Sequence, residues 1–192
     1  MKTSYIVIGV IVLLLLMGGC SYNSMNRARV NVDQTWGNVQ SSYQRRADLI
    51  PNLVATVKGA AEFEKTTLTQ VIEARAKATQ MNVNAGDLTP EKLQQFQAAQ
   101  GQLSQALGRL MVVSEQYPQL KANQNFLSLQ DQLEGTENRI KFSRDEFNTA
   151  VGTYNVKVTS FPSNLLAGIF GFKEKPMFKA DEASQNAPSV QF

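Results

Sequence analysis

The chain has 192 residues, 43% of them hydrophobic, with 19 Lys or Arg against 16 Asp or Glu and a formal charge of +3. That is room for one domain with an anchor and a tail, and so small a charge, with no basic run interleaved with aromatics, leaves no ground for a nucleic-acid partner. It contains no histidine and one cysteine, which excludes the usual general base, the commonest metal ligand, an intramolecular disulfide and a cysteine metal cluster.

The first element is an apolar anchor. Thr3 to Asn26 carries no charge, and Tyr5 to Met17 is nearly continuous Ile, Val and Leu behind Lys2. A spanning helix needs about 20 apolar residues, slightly more than Tyr5 to Cys20 supplies. Two readings stay open. One is an uncleaved transmembrane helix. The other is a lipoprotein signal peptide in which Gly18-Gly19-Cys20 forms the cleavage site and Cys20 carries lipid. Lys2 favours a bundle outside the cytoplasm, and Arg27 and Arg29 on the far flank weaken that bias.

Beyond the anchor the pattern is helical almost throughout. Pro51, Pro90 and Pro118 each sit where an apolar period restarts, the first-turn use of proline, and Thr89 is a candidate cap for the helix at Pro90. Four segments are predicted. The first runs from the anchor to about Leu49 with Val32, Trp36, Val39 and Tyr43 on one face, and the second from Pro51 to about Gln80. The third, from Pro90 to about Gln116, repeats Phe96, Leu103, Leu110 and Tyr117 at seven-residue spacing. The fourth, from about Gln119 to Ser160, carries Phe126, Leu133, Ile140, Phe147, Tyr154 and Phe161 at the same spacing. A sustained seven-residue repeat makes a narrow seam between partner helices, and short connections make neighbours antiparallel. The expected fold is all-α: an antiparallel up-down four-helix bundle with long first and fourth helices. The parts are an anchor or signal peptide over 1–20, the bundle over 21–161, an apolar membrane-proximal segment over 162–179 and a disordered tail over 180–192.

In such a bundle the fourth helix returns to the membrane end of the first. The stretch beyond it holds Phe161, Leu165, Leu166, Ile169, Phe170 and Phe172, with Lys173 and Lys175 at its end. This composition suits a segment at the lipid interface, or one folded back to cap the bundle. Arg45, Arg46 and Asp48 form the most distinctive polar cluster. They are either a partner-binding site or charges matched to helix ends, Asp48 helping to start the helix at Pro51. Arg75 and Arg139 are expected to pair with glutamates on helix surfaces.

The run Tyr43-Gln44-Arg45-Arg46-Ala47-Asp48-Leu49-Ile50-Pro51-Asn52-Leu53-Val54, with Glu73-Ala74-Arg75-Ala76, Tyr117-Pro118-Gln119-Leu120-Lys121-Ala122-Asn123, Thr136-Glu137-Asn138-Arg139-Ile140 and Phe170-Gly171-Phe172, resembles the LemA family of bacterial membrane proteins. The resemblance covers roughly Tyr22 to Phe178 and implies a helical bundle behind an N-terminal anchor, without supplying a reaction. Its related members include a protein of magnetosome membranes. Ala60-Ala61-Glu62-Phe63 departs from the family's Tyr-Ala-x-His, so no role of that histidine carries over.

No catalytic, cofactor or metal site is expected. A di-metal bundle centre needs Glu-x-x-His pairs, a hydrolytic triad needs its base, and Gly168 and Gly171 lack the flanks of a phosphate loop. The expected function is a non-enzymatic bacterial envelope protein, a scaffold or adaptor for other envelope proteins. The alternative is a lipid-binding or membrane-remodelling protein acting through the C-terminal apolar segment. Expected partners are membrane lipid, other envelope proteins and a second copy of the chain, with no small-molecule substrate.

Overall fold

The computed structural model describes residues 2–59 and 64–179. All its regular elements are helical among the described residues: α1 (Lys2–Lys58), α2 (Lys65–Gln80), a 3-10 turn (Ala85–Asp87), α3 (Pro90–Ser114), α4 (Pro118–Lys121), α5 (Gln124–Thr159) and α6 (Ser163–Phe170). The tail expected over 180–192 and the departure at residues 60–63 lie outside the described residues.

The long helix α1 has 57 residues, about 85 Å at the helical rise. Contrary to expectation it runs straight through Pro51. Proline brings no N–H, so the carbonyl of Ala47, four residues back, loses its helical donor. Arg75 of α2 fills the gap, its Nε–H donating to Ala47 O at 2.8 Å. Arg75 therefore bonds to backbone where a surface glutamate was expected. The real end of α1 comes at Lys58, before Gly59.

The other starts follow local chemistry. Thr89 Oγ1 accepts from the Lys92 N–H at 3.2 Å, with Pro90 at the first helical position, a cap of about 1 kcal/mol. Pro118 opens the short α4, and Asn123 then caps α5, its Oδ1 accepting from the N–H groups of Asn125 and Phe126 at 2.9 and 3.3 Å.

Helix α5 lies antiparallel along α1. Ser24 meets Lys157, Trp36 meets Phe147 and Arg46 meets Glu137, so positions rise on one helix as they fall on the other. Helices α2 and α3 pack together beside them, joined through Gln100 Nε2, which donates to Ala78 O at 3.3 Å. The seven-residue seams are buried where predicted: Phe126, Leu133, Ile140, Phe147 and Tyr154 on α5, and Phe96, Leu103 and Leu110 on α3. Phe161, the next step of the repeat, is 81% exposed, because α5 ends at Thr159 and the chain turns at Phe161-Pro162.

The interior is two apolar cores. One gathers Met25, Val32, Trp36, Phe96, Phe147 and Tyr154; the other gathers Ile50, Leu53, Val71, Leu103, Leu110 and Phe126. Between Tyr43 of the first and Ile50 of the second lies a polar layer centred on Arg46, which is only 2% exposed. Its Nη1 donates to Ser104 Oγ at 2.9 Å and Glu137 Oε2 at 2.8 Å, and its Nη2 to Gln100 Oε1 at 2.9 Å. Such a layer fixes which helix turns face each other, since any other register would strand a buried charge.

Candidate membrane-facing site

The end of the molecule where α1 begins is built from three pieces: the start of α1, the return of α5, and α6. The return is fastened by Lys157 Nζ, which donates to Ser24 Oγ at 2.9 Å. Helix α6 then lies across the junction, packed on both α1 and α5. It ends where Gly171 adopts φ 73° and the Phe172 N–H closes back on Ala167 O at 2.9 Å. A left-handed turn of this kind favours glycine, which has no Cβ to clash.

One face of α6 is inside and the other is bare. Ala167 is buried and Leu166 half-buried. Leu165 is 62% exposed, Ile169 77% and Phe170 48%, and Phe161, in the turn just before the helix, is exposed as well. Tyr22 of α1 meets the ring of Phe170 edge-on at 5.1 Å and that of Phe172 at 5.6 Å. The exposed face thus adjoins α1 within a turn of Cys20, which is exposed with a free thiol. Toward the chain start, Tyr5 and Ile8 are also exposed, at 72% and 57%. Side chains over 10–17 lie outside the described residues, and with them most of the expected anchor. Among the described residues no helix is long and apolar enough to cross a membrane.

Besides Leu166, half-buried against the core, two residues expected at this interface lie elsewhere. Phe172 is buried against Tyr22 and Arg29, the guanidinium 5.3 Å from its ring centre. Lys175 Nζ donates to Asp33 Oδ1 at 2.8 Å and to Ala85 O at 3.0 Å, so it is spent on the bundle rather than turned toward headgroups. Lys173 remains exposed.

The Arg45, Arg46 and Asp48 cluster is divided by the helix. Arg45 and Asp48 are exposed on α1, Asp48 accepting from Gln44 Nε2 at 2.7 Å, while Arg46 is the buried centre of the polar layer and out of a partner's reach. All three sit in mid-helix, because no helix starts at Pro51. Asp48 therefore caps nothing.

No group of three or more His, Cys, Asp or Glu is disposed to hold a metal among the described residues. At the exposed start of α3, hydrogen bonds from its own backbone N–H and from Thr89 hold the Glu91 carboxyl below its usual range; the other perturbed side chains belong to the interior. Burial pushes the Tyr43 and Tyr154 hydroxyls above their usual range, against nearby arginines that pull them down.

Sequence reasoning missed the form of the chain after α6. Residues 171–179 make an extended strap along α1 and α5, held by Asn148, Tyr154 and Asn155. Its signal was present: Asn148 and Asn155 come directly after Phe147 and Tyr154 of the seam, at the same seven-residue step.

A family model described as the LemA family matches residues 35–192. Magnetosome protein MamQ 2 of Paramagnetospirillum magneticum is 27% identical over 179 residues, covering 84% of this chain and 66% of that protein. Magnetosome protein MamQ of Magnetospirillum gryphiswaldense is 28% identical over 174 residues, covering 82% and 64%. Protein LemA of Metamycoplasma hominis is 23% identical over 160 residues, covering 83% and 69%. The chain thus spans about two thirds of the length of the curated relatives it matches. With the family model covering most of its residues, the chain belongs to the LemA family.

Proposed function

We propose that this is a non-enzymatic, membrane-anchored protein of the bacterial envelope. Its apolar N-terminal run holds the membrane, α6 lies in the interface beside it, and the four long helical segments stand away as a rod that holds other envelope proteins. One observation carries this reading: α6 bares Leu165, Ile169 and Phe170, and Phe170 meets Tyr22 near the start of α1. Water is a poor solvent for such a face, and each of these side chains gains roughly 1.5–3 kcal/mol on full burial. An interfacial helix with aromatic neighbours gains most of it in the acyl boundary. Relatives named as magnetosome proteins support a place among membrane-associated assemblies. Lys2 on the near flank favours a rod outside the cytoplasm.

The second reading is lipid binding or membrane remodelling by α6 itself, favoured by the same face acting as a wedge. Flotation of the chain from Ser21 onward with lipid vesicles tests both, since it retains Met25 and the buried residues after it. Flotation abolished by Leu165→Ser with Ile169→Ser, at unchanged melting temperature, supports the interface role. Vesicles that change shape as the protein binds favour remodelling over scaffolding. No flotation of the parent chain contradicts both.

A further inference from the structure

The strap of residues 171–179 is recognised mainly through its backbone, by side chains of α3 and α5. Asn155 reads one residue from both sides: its Nδ2 donates to Lys175 O at 2.8 Å and its Oδ1 accepts from the Lys175 N–H at 2.9 Å. Asn148 does the same at Phe178, at 3.1 and 2.9 Å. Tyr154 Oη donates to Lys173 O at 2.9 Å, and Gln97 Nε2 to Lys179 O at 3.2 Å. The two asparagines are seven residues apart, about 10.5 Å along a helix. Three residues of extended chain cover about 9–10 Å, so one step of the asparagine ladder matches the three residues from Lys175 to Phe178.

The anchoring side chains keep that three-residue step. Phe172 fits beside Tyr22 and Arg29, and Lys175 pairs with Asp33. Phe178 stacks on Trp36 with ring centres 6.1 Å apart, meets Phe147 at 5.5 Å, and lies under the Arg144 guanidinium at 4.7 Å. The cleft between α1 and α5 is therefore a site for an extended peptide with the pattern Phe-x-x-Lys-x-x-Phe.

We propose that this cleft also accepts the corresponding segment of a second copy of the chain, so that neighbours exchange α6 and the strap. None of these strap contacts depends on which chain supplies the strap. The link between α5 and α6 is only Ser160 to Pro162, and Thr159 and Phe161 there are exposed. It lies at the end of the rod that the proposed function seats on the membrane. The inference rests on that reading only in that a shared surface brings the links of two copies to one height and raises their effective concentration. Exchange closes as a two-fold dimer, because each copy gives one strap and receives one.

Isotope mixing tests this on the unaltered full chain. Unlabelled and nitrogen-15-labelled protein are mixed unfolded, refolded together into lipid bilayers and treated with a zero-length carbodiimide. The reagent condenses the Lys175 amine with the Asp33 carboxylate as an amide with loss of water, the carbodiimide taking up that water to become a urea. Exchange predicts crosslinked Asp33–Lys175 peptides of mixed isotope, approaching half of the total at high protein density. Crosslinks that are solely light–light or heavy–heavy at every density overturn the proposal. A second measurement uses charge reversal. Asp33→Lys and Lys175→Asp chains each lose their own pair, but together they regain two matched pairs by exchange. Dimers that form on mixing the two and not in either alone support exchange, and their absence, with strap protection from protease restored in the Asp33→Lys, Lys175→Asp double variant, contradicts it. Lipid contact of α6 is read separately, so either result stands apart from the proposed membrane role.

Discussion

Arg75 donates its Nε–H to the carbonyl oxygen of Ala47 at 2.8 Å, the acceptor that Pro51 deprives of its helical partner. The contact lets α1 continue through a proline and holds α2 against it. Arg75→Met should cost about 1 kcal/mol in denaturant unfolding, the worth of one partly exposed hydrogen bond. Pro51→Ala returns the missing N–H to Ala47, so the same Arg75 substitution should cost clearly less in that background. Equal costs in the two backgrounds would show that Arg75 is not replacing the lost donor.

The polar layer predicts an asymmetry. Arg46 is 2% exposed whereas its partner Glu137 is 61% exposed. Arg46→Ala leaves the buried Gln100 facing a void and should destabilise by about 3 kcal/mol. Glu137→Gln keeps an acceptor for Arg46 in a solvated position and should cost less than about 1 kcal/mol. Urea titrations of the two variants make the comparison.

At Trp36 the indole Nε1–H donates to Val83 O at 2.7 Å, and Gln40 Nε2 donates to the same oxygen at 3.1 Å. Trp36→Phe therefore leaves the carbonyl with one donor. Its cost from the lost bond should stay at about 1 kcal/mol. In a Gln40→Leu background the oxygen has no side-chain donor left, and the same substitution should cost more, a coupling that a double-mutant cycle measures.

Alkaline pH should loosen the fold through Tyr43. Burial raises its folded-state pKa above the ordinary value of 10.0, with Arg144 and Arg46 opposing that rise. A raised pKa means that the folded state holds the proton more tightly than the unfolded state does. The resulting stability is fully present below about pH 10 and is lost as pH rises through the folded value. Tyr43→Phe has no proton to lose, so its melting temperature should fall less steeply than that of the parent chain above about pH 10. Between about pH 5 and 8, where histidine would titrate, both should be flat.

What could be read from the sequence was what repeats locally. Phe126 to Tyr154 and Phe96 to Leu110 are buried seams because a seven-residue period fixes one face of a helix regardless of partner. Thr89 and Pro90 start a helix because cap and proline act within one turn. Pro51 misled because a proline suits a first turn or a compensated interior equally, and the compensation comes from Arg75, 28 positions away. Arg46 looked like a surface charge because its partners Gln100, Ser104 and Glu137 stand 54 to 91 positions off. Phe172 and Lys175 were legible as apolar and basic, but their places in the strap depend on Tyr22, Asp33 and Asn155, which only the packed chain brings near. The bare side of α6 obeys the same limit: its pattern was visible, and which face Ala167 turns inward was not.

The central claim, that the outer face of α6 lies in the lipid interface, is tested most directly by depth-dependent quenching in bilayers. The full chain with Cys20→Ser and Ile169→Cys is labelled at the new thiol and reconstituted with brominated lipids. A second sample places the cysteine at Phe142, which is 64% exposed on α5 and far from that end. Strong quenching at position 169 with little at position 142 is the predicted result. Equal quenching at the two positions would contradict it.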